Sequence, residues 1–579
     1  MTKIYQLPKS VSNQIAAGEV VQRPSSIVKE LLENSIDANS KNIKIIIKDA
    51  GKQSITIIDD GVGMNKEDSL KCFNRHSTSK IKKAEDLFKI KSMGFRGEAL
   101  SSISAISDVV IQTKTKNNEN GYEINIRDSK IIKENEISKN IGTTIIVKNI
   151  FFNIPARRNF LKSNPVELKY IIDEFIRLAL SNPHINFILI NNEIEIYNLK
   201  NSNLKKRIIS LFKKNYEQQL VSCNEKFGDI SICGFIGKPE NSKKTRGEQF
   251  IFVNNRFIKN NYLNHAIFKT YQGLIEDKKY PFYILFIEID TAKVDINIHP
   301  TKTEVKFEDE KLLYNLMNSS VSKSLGTHHI IPSIDFNADV NFNNKVVVDY
   351  DKNKYQNTQL NSSKNQKEWQ NIFNEVKIEN SNTRKIFEDD SIEIKNNPIQ
   401  VLENFIFKQL GDKLLIFNNK NCQQTILYEK FEKSSLNSYS NSQQNLFPKY
   451  IEFNNSDFQL IKEIFNDIKS IGFDIDFFGK NSIVVNGIPT GLDDINEEEI
   501  IESFIEEIKN NNQNLKAEKK EIILKSISKN AQILNKKKLN TEEMKSIIDR
   551  LFACNNPKYS PDGKLNFIEL NNSKIENLF

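Results

Sequence analysis

Cysteine, histidine and long apolar runs are scarce in this chain of 579 residues, and each scarcity excludes a class of protein. The five cysteines are scattered, odd in number and never spaced as CxxC, which argues against a disulfide framework or a zinc cluster. No run of about 18 apolar residues occurs, and the opening MTKIYQLPKS lacks the apolar core of a signal peptide. We therefore expect a soluble, cytoplasmic protein that makes no membrane contact.

The composition permits several domains and a nucleic-acid partner. With 38% hydrophobic residues the chain can bury real cores, and its length predicts about three or four domains. The net charge of +8 is small for this length, so it allows DNA binding without requiring it.

Strand and helix patterns alternate densely up to about residue 325, which predicts a mixed α/β fold. Residues 41–61 read as two strands joined by a turn at Ala50-Gly51, and residues 166–182 read as a helix. Residues 329–396 lack apolar periodicity and are predicted to be a disordered linker. Patterned sequence returns from 397, with an amphipathic helix in FQLIKEIFNDIKSIGF and Lys/Glu-rich helices beyond it.

The stretch ELLENSIDAN, residues 30–39, predicts a helix with an acidic side. Pro24 and the two serines after it provide the N-terminus. Glu30, Glu33, Asn34 and Asp37 fall together on a helical wheel, opposite a broad apolar face. Taken alone, this is an ordinary amphipathic helix with a solvated side, although like charges at this spacing repel.

The segment IDDGVGM, residues 58–64, predicts a strand that ends in an acidic turn. An Asp-Gly hairpin turn is the simplest interpretation. A second interpretation gives Asp59 the role of accepting a hydrogen bond from the exocyclic amine of adenine, since a carboxylate only accepts. Gly61 and Gly63 would then let the backbone approach the base.

The segments RHSTSKI and MGFRGEALSSISAIS, residues 75–81 and 93–107, suggest a phosphate-binding loop. Gly94 and Gly97 precede a helix predicted to begin near Glu98, and free backbone N–H groups at such a start bind phosphates. Lys80 and Arg96 can add positive charge. A glycine-rich loop is a weak signal by itself.

The order of these segments carries more information than any one of them. ENSIDA, DDGVGM, GFRGEAL and GTT resemble the four ATP-site motifs shared by gyrase, Hsp90, histidine kinases and MutL. NQIAAGEVVQRPSSIVKELLENSIDA, RHSTSKI, FFNIPARRNFLK and VDINIHPTKTEVKF resemble the MutL family of DNA mismatch-repair proteins more narrowly. The resemblance covers nearly the whole chain and is most specific over residues 1–325.

The resemblance implies a site and an architecture. Glu30 would be the general base, Asn34 a Mg²⁺ ligand, and Asp59 the adenine acceptor, supported by Thr143 through water. Lys302 would be a cation that reaches the γ-phosphate from the second domain. The loop from about 75 to 98 would cover the triphosphate, with these residues contributing: Thr78, Ser79, Lys80, Gly94, Phe95, Arg96, Gly97 and Glu98. The implied domains are a Bergerat-type ATPase sandwich (1–215), a ribosomal-S5-like domain (216–328), the linker and a dimerisation domain (397–579).

The resemblance also implies a function. It predicts slow, Mg²⁺-dependent ATP hydrolysis by a homodimer that closes on DNA and couples mismatch recognition by MutS to strand excision, through a downstream helicase or nicking enzyme. Non-specific DNA contact is expected, with Arg157, Arg158, Arg256 and Lys259 as candidates. The main alternative is an ATP-gated clamp or scaffold that does not hydrolyse ATP. A topoisomerase subunit, a histidine kinase and an Hsp90-like chaperone fit less well.

Many MutL relatives nick DNA at a C-terminal metal site, and this chain departs from that pattern. Asn418, Lys420 and Gln424 stand where an Asp, a His and the first Glu are expected, while Glu429 matches. Later segments carry Lys529, Ser560 and Asp562 in place of Cys, Cys and His. All six histidines lie at or before residue 329, although such sites need imidazole or thiolate ligands. We therefore expect no endonuclease.

The segment QQNLFP, residues 443–448, matches the short pattern by which MutL relatives bind the replication sliding clamp. Gln443, Leu446 and Phe447 would carry that contact as a peptide in a groove. The alternative is a loop that leads into the following strand.

Overall fold

The computed structural model describes most of the chain outside the predicted linker. The described residues are 14, 17, 18, 20–80, 93, 94, 97–212, 214–276, 279–295, 305–327, 397–402, 404–410, 413–436, 442–490, 492, 496–510, 518–532 and 538–571. The predicted linker, Phe95, Arg96, His299 and Lys302 lie outside them.

The N-terminal part is built on an eight-stranded sheet in the order β5-β4-β3-β6-β2-β1-β7-β8. Its strands are β1 (Asn42–Lys48), β2 (Ser54–Asp59), β3 (Asp108–Lys114), β4 (Gly121–Arg127), β5 (Lys130–Ile137), β6 (Gly142–Lys148), β7 (Asn186–Asn191) and β8 (Ile194–Leu199). Strands β2 and β3 alternate buried with half-buried residues, as a sheet with one covered face requires. The predicted turn at Ala50-Gly51 joins β1 to β2, and only β7 runs parallel to its neighbour β1 among these pairs.

Helices cover one face of this sheet. They are α1 (Pro24–Asp37), α2 (Lys66–Lys71), α3 (Ala99–Ile106), α4 (Pro155–Asn159), α5 (Asn164–Ser181) and α6 (Leu204–Leu211). Helices α1 and α5 pack against each other, and their isoleucine and leucine side chains share one core with the sheet. The helix predicted over 166–182 is α5, and the one predicted to begin near Glu98 is α3.

The second part is the predicted S5-like α/β unit. Its five-stranded sheet has the order β12-β11-β13-β10-β9. The strands are β9 (Leu220–Phe227), β10 (Ile230–Gly237), β11 (Gln249–Val253), β12 (Arg256–Ile258) and β13 (Tyr283–Glu288), with a separate pair β14 (Val294–Asp295) and β15 (Lys306–Phe307). Helices α7 (Asn261–Tyr271) and α8 (Glu310–Thr327) pack together over it.

The C-terminal part has two smaller sheets with helices around them. The four-stranded sheet joins β16 (Ile399–Val401), β17 (Phe405–Leu410), β18 (Lys413–Asn418) and β22 (Phe567–Asn571). The three-stranded sheet has the order β19-β21-β20, with β19 (Ser442–Glu452), β20 (Asp474–Phe478) and β21 (Ser482–Pro489). The helices are α9 (Asn419–Leu436), α10 (Asn455–Ile471), α11 (Glu497–Asn510), α12 (Glu518–Gln532) and α13 (Thr541–Phe552).

Helix α10 illustrates how the sequence sets these elements. Asn454 accepts the backbone N–H of Asp457 at 2.7 Å and caps the first turn, while Gly472 ends the helix in the left-handed conformation. Its isoleucines at 461, 464, 468 and 471 are all buried in the C-terminal core. Within the part of the chain that the structure describes, no helix is long and apolar enough to span a bilayer.

Candidate functional site

The candidate site is built around helix α1 and the end of strand β2. Pro24 fixes the first turn of α1, and Ile27, Val28 and Leu31 are fully buried against the sheet. Glu30 and Asn34 lie one turn apart and are both half-buried. The predicted polar side of α1 therefore faces partly enclosed surroundings rather than open solvent.

The two flanking acids of α1, Glu33 and Asp37, which the helical wheel alone places on a solvated side, are both shielded from solvent. Glu33 is only 5% exposed, and Lys29 approaches its carboxylate at 3.9 Å. Asp37 forms an ion pair with Lys80 at 2.5 Å and accepts the backbone N–H groups of Met93 at 2.9 Å and Gly94 at 3.0 Å. Asp37 is thus the group that ties the glycine-rich loop to α1, a role that periodicity did not indicate.

Lys80 and Gly94 lie directly beside Asn34. The Lys80 ammonium donates to Asn34 Oδ1 at 3.2 Å as well as to Asp37. A Cβ placed on Gly94 would lie 3.2 Å from Lys80 Nζ and 3.6 Å from Asn34 Oδ1. The structure therefore brings together the predicted residues of α1 and the loop. They meet where the side-chain oxygens of Asn34 and Asp37 bind the Lys80 ammonium.

Asp59 occupies the end of β2, where three donors hold its carboxylate. Ser35 donates to Oδ2 at 2.9 Å, and the backbone N–H groups of Gly61 and Thr143 donate to Oδ1 at 3.0 and 3.2 Å. Thr143 is the register partner of Asp59 in β6, and its hydroxyl lies 3.2 Å from that of Thr113. The resemblance implied that Thr143 supports Asp59 through water; in the structure the Thr143 backbone N–H contacts the Asp59 carboxylate directly.

Burial raises the pKa of Asp59, although the hydrogen bonds from Gly61, Ser35 and Thr143 oppose that shift. Lys139 lies near enough to act on it as a positive charge, and burial lowers the pKa of Lys139 in turn. The adjacent Asp60 behaves in the opposite way. It accepts Lys41 N–H, Asn42 N–H and the Asn42 amide at 2.7–2.8 Å, which lowers its pKa despite partial burial.

Two glycines of the site are required by close backbone approach. Gly63 has φ +68, and a Cβ there would lie 2.0 Å from the carbonyl oxygen of Lys114. Gly97 has φ +64, and its Cβ would lie 2.5 Å from the carbonyl oxygen of Ser77. No other residue type fits these positions without moving the backbone.

The remaining predicted loop residues fall into two groups. Thr78 accepts the backbone N–H of Lys80 at 3.2 Å, Ser79 lies between them, and Glu98 precedes α3 with its carboxylate 3.4 Å from His76. The predictions for Phe95, Arg96 and Lys302 fall on residues outside the described ranges.

A small cleft opens beside the acidic side of α1, between the N-terminal part and the tip of the β11–β12 hairpin. Lys29 and Glu33 line it from α1, Arg177 from α5, and Arg256 and Phe257 from β12. The Arg177 guanidinium stacks over the Phe257 ring at 4.3 Å. The second part of the chain thus contacts the helix that carries Glu30 and Asn34.

Arg256 was a candidate for DNA contact on sequence grounds, but the structure places it inside this cleft. It is 8% exposed. Burial lowers its pKa, and the carboxylates of Glu33, Asp37 and Glu30 oppose that shift. A guanidinium so enclosed and so close to acidic groups cannot reach a phosphate backbone without leaving its position, so this structure argues against the DNA interpretation of Arg256.

The other DNA candidates have mixed surroundings. Arg158 and Lys259 are exposed. Arg157 is half-buried, and its guanidinium lies where a Cβ on Gly18 would stand, at 1.7 Å. Arg157 therefore has a packing role against Gly18, while Arg158 and Lys259 remain open to solvent.

Three of the positions that correspond to a nuclease site, Gln424, Glu429 and Asp562, are engaged in hydrogen bonds. Gln424 is 3% exposed and donates to Asp562 Oδ2 at 3.0 Å. Glu429 accepts the backbone N–H groups of Asn555 and Asn556 at 2.7 and 3.3 Å. Among the described residues, no three His, Cys, Asp or Glu side chains come together as a metal site would require.

The sliding-clamp segment lies in β19, not in a loop before it. Gln443 pairs with Ile488 of β21, and the register shifts between Gln444 and Lys449. Leu446 and Phe447 fall in that bulge and are 94% and 85% exposed. Apolar side chains so fully exposed suit a contact with another molecule.

Models of known families match three ranges of the chain. Residues 22–150 match the histidine kinase-, DNA gyrase B- and HSP90-like ATPase, and residues 208–326 match the C-terminal domain described for DNA mismatch repair proteins. Residues 399–539 match the MutL C-terminal dimerisation domain. The three ranges follow the three folded parts described above.

Full-length relatives and solved structures are also similar. The DNA mismatch repair protein MutL of Christiangramia forsetii is 40% identical and that of Flavobacterium psychrophilum 39% identical, each over 100% of both chains. The Aquifex aeolicus MutL ATPase domain complexed with ADP is 25% identical, covering 47% of this chain and 93% of that one with a TM-score of 0.36. On the strength of the full-length relatives and the matching domain models, the chain belongs to the MutL family of DNA mismatch repair proteins, with an ATPase domain and a C-terminal dimerisation domain.

Proposed function

We propose that the chain hydrolyses ATP at the site between α1, the end of β2 and the glycine-rich loop, and that hydrolysis times the closing of a homodimer on DNA. The single observation that carries this proposal is that Asp37 joins helix α1 to the glycine-rich loop. Its carboxylate holds Lys80 and the N–H of Gly94 next to Asn34, one turn from Glu30. Residues far apart in the sequence thus surround one polar space.

The adenine would bind at the other end of this space. Asp59 has its carboxylate held by Ser35, Gly61 and Thr143, which leaves it oriented as an acceptor for an exocyclic amine. Gly61 is packed against Ala38 and Ser40 with no room for a Cβ, so only glycine fits at the turn that follows Asp59. Thr143 supports Asp59 through the backbone, and its hydroxyl adds a second polar group.

The phosphate end fits a divalent cation. Asn34 Oδ1 and Asp37 Oδ2 already hold the Lys80 ammonium, so this point attracts positive charge, and amide and phosphate oxygens are the ligands that Mg²⁺ takes. Asn34 would hold the ion together with the phosphates. When bound, Mg²⁺ would neutralise charge on the triphosphate. Glu30 would accept the proton of the attacking water, and Lys302 would supply a positive charge to the γ-phosphate.

The partners follow from the family and from the surface. We propose a homodimer joined through the C-terminal part, recruitment by the mismatch-recognition protein MutS, and non-specific contact with DNA through exposed cations such as Arg158 and Lys259. Binding to DNA should weaken steeply as salt rises. The exposed Leu446 and Phe447, with Gln443, support a contact with the sliding clamp, and alanine at both apolar positions should abolish co-elution with the clamp.

We propose further that this chain does not nick DNA, so that a separate enzyme does so. Gln424 replaces a carboxylate and is already engaged by Asp562, and Glu429 is engaged by two backbone N–H groups. Lys420 and Lys529, at two of the expected ligand positions, are exposed cations. A lysine in place of a ligand would repel a metal ion.

Two substitutions in α1 test the proposed ATPase. Glu30→Ala should keep ATP binding and lower turnover at least about a hundredfold, because general-base catalysis contributes about that much. Asn34→Ala should lose binding of Mg-ATP. Binding is measured by calorimetry and turnover by phosphate release. Normal turnover by Glu30→Ala would show that another residue is the base, and binding without any turnover by the unaltered chain would favour the non-hydrolysing clamp.

A further inference from the structure

The C-terminal part of the chain packs against both earlier parts. Helix α10 lies against α5 of the ATPase domain, and Val166 of α5 is buried among the C-terminal core residues. Tyr170, one turn further along α5, packs against the same core. Because α5 also packs against α1, one helix lies between the C-terminal part and the helix that carries Glu30 and Asn34.

The contact with the ATPase domain centres on Asp173 of α5. Ser456, in the first turn of α10, donates to Asp173 Oδ1 at 2.6 Å, and Lys169 pairs with Oδ2 at 2.6 Å. Burial alone would raise the pKa of Asp173, but Lys169 and Arg177 outweigh it and the pKa is lowered. The carboxylate therefore stays charged at neutral pH while it accepts a hydrogen bond from the C-terminal part.

The contact with the second domain centres on residues 243–248, which precede β11. Glu248 is 4% exposed, pairs with Lys243 at 2.6 Å and accepts from the Asn454 amide at 3.3 Å. Asn454 is the residue that caps α10. The cap of one helix in the C-terminal part is thus bonded to a buried carboxylate of the second domain.

Opposite charges from α11 complete this contact. Lys244 pairs with Glu499, and the Arg246 side chain approaches Glu506 at 3.6 Å while its backbone N–H donates to the same carboxylate at 2.8 Å. The second domain contributes the cations and α11 the anions. The side chains of Lys244 and Glu499 are 30% and 41% exposed, so salt can reach and screen this pair.

This interface differs from the core of a single domain. Its apolar part is small, centred on Val166 and Tyr170, whereas its polar part contains four separate charged or hydrogen-bonded contacts. Interfaces between domains that separate are polar in this way. Partly exposed ion pairs are also individually weak, so together they give a contact that forms and breaks.

We propose that the C-terminal part of the chain is a reversible ionic latch, closed when α10 and α11 bind α5 and residues 243–248 of the same chain. Since the latch contacts the ATPase domain and the second domain at once, closing it adds polar contacts to two domains that already share one hydrophobic core. The proposal concerns docking alone and stands whether or not the chain hydrolyses ATP.

The test first reverses the two cations of the second domain and then also reverses the two anions of α11, which restores opposite charges across the contact. In the full-length chain, Lys244→Glu with Arg246→Glu should open the latch, which raises the radius of gyration in X-ray scattering. Amide exchange of residues 243–248 should become about tenfold faster, because the Arg246 N–H loses Glu506. Adding Glu499→Lys and Glu506→Lys should return both measurements toward the original values.

Two controls make the outcome decisive. Lys413→Glu breaks the pair with Glu569 inside the C-terminal part, at 52% and 49% exposure, and should change neither measurement. Raising the salt concentration of the unaltered chain should reproduce the opening without any substitution, which guards against misfolding of the variants. A radius and an exchange rate that stay constant under charge reversal and under salt, or that fail to recover in the matched variant, overturn the latch.

Discussion

At the scale of single residues, two neighbouring aspartates of the site have opposite electrostatic roles. Burial raises the pKa of Asp59, so its charged form costs folding free energy. Three backbone and side-chain N–H groups lower the pKa of Asp60, so its charged form stabilises the fold. This contrast fits our proposal that Asp59 binds the ligand while Asp60 stabilises the fold.

We predict that Asp59→Asn weakens ATP binding about tenfold to a hundredfold, since a hydrogen bond to a charged group contributes about 1.5–3 kcal/mol. The ligand-free protein should not lose stability at neutral pH. Because the pKa of Asp59 is raised in the folded protein, its protonated form is the one that stabilises the fold. This stabilisation is lost as the pH rises through the folded-state pKa, so at neutral pH the substitution has none of it left to remove. Calorimetry with ATP and urea unfolding measure the two effects.

Asp60→Asn is the matched control and should behave in the opposite way. Its lowered pKa gives stability that is present above the ordinary value of 3.8 and is lost as the pH falls through the folded pKa. Because Asp60 is exposed, solvent screening limits the loss at neutral pH to about 1 kcal/mol at most. ATP affinity should stay unchanged; a loss of affinity in Asp60→Asn alone would reverse our assignment of the two aspartates.

At the scale of elements, the β11–β12 hairpin connects the second domain to α1. Its Arg256 is enclosed with Glu33 in the cleft, and Phe257 beside it stacks on Arg177 of α5. The hairpin thus contacts α1 beside the acidic side that carries Glu30 and Asn34. A shift of the second domain would be transmitted to α1 through this contact.

We predict that Arg256→Ala lowers the free energy of unfolding by about 3 kcal/mol, because it removes a buried cation beside the buried carboxylate of Glu33, which Lys29 approaches no closer than 3.9 Å. ATP turnover should fall with it, and Arg256→Lys should recover part of both. Denaturant unfolding and phosphate release give the measurements. Lys259→Ala, an exposed cation two residues beyond Phe257, should change stability by less than about 0.5 kcal/mol. If Arg256→Ala reduced DNA binding alone, the DNA interpretation of Arg256 would be right after all.

The sequence predicts the helices and strands well, but it predicts poorly which distant residues they contact in the fold. The helix expected over 166–182 runs from 164 to 181, and the strands around Ala50-Gly51 pair as expected, because apolar periodicity reports which face is buried. The helical wheel of α1 placed Glu33 on the solvated side, but Glu33 is buried. Periodicity cannot tell a side that faces solvent from one that faces another domain. Ser35, Asp37, Lys139 and Arg256 matter through contacts 24 or more residues away, which no local pattern contains.

At the scale of the whole molecule, the sequence motifs predicted the site residues of the ATPase domain more fully than those of the C-terminal part. The ATP motifs named Glu30, Asn34, Asp59 and Thr143, and the structure brings the last two into direct contact. The C-terminal prediction rested on absent ligands, and the structure adds what replaced them: a glutamine bonded to an aspartate where acids would bind metal.

We predict that the purified full-length chain does not nick supercoiled plasmid with Mn²⁺. Restoring one ligand, as in Gln424→Glu, should not create the activity, because Asp562 would then face a second carboxylate and the sequence after residue 329 contains no histidine to complete the site. Agarose-gel conversion to the open circle measures nicking, with a nicking enzyme as the positive reference. Manganese-dependent open circle from the unaltered chain, beyond that of a mock purification, would refute the prediction.

Helix α5 has neighbours on more than one side, since α1 and α10 both lie against it and eleven of its eighteen residues are buried. Most amphipathic helices keep a solvent-facing side where random substitution is harmless. Little of α5 faces solvent, so a library of variants spread over the protein should show its fewest tolerated changes in this helix. The intolerant positions should include the charged residues Lys169 and Asp173, which would look expendable in an isolated ATPase fragment.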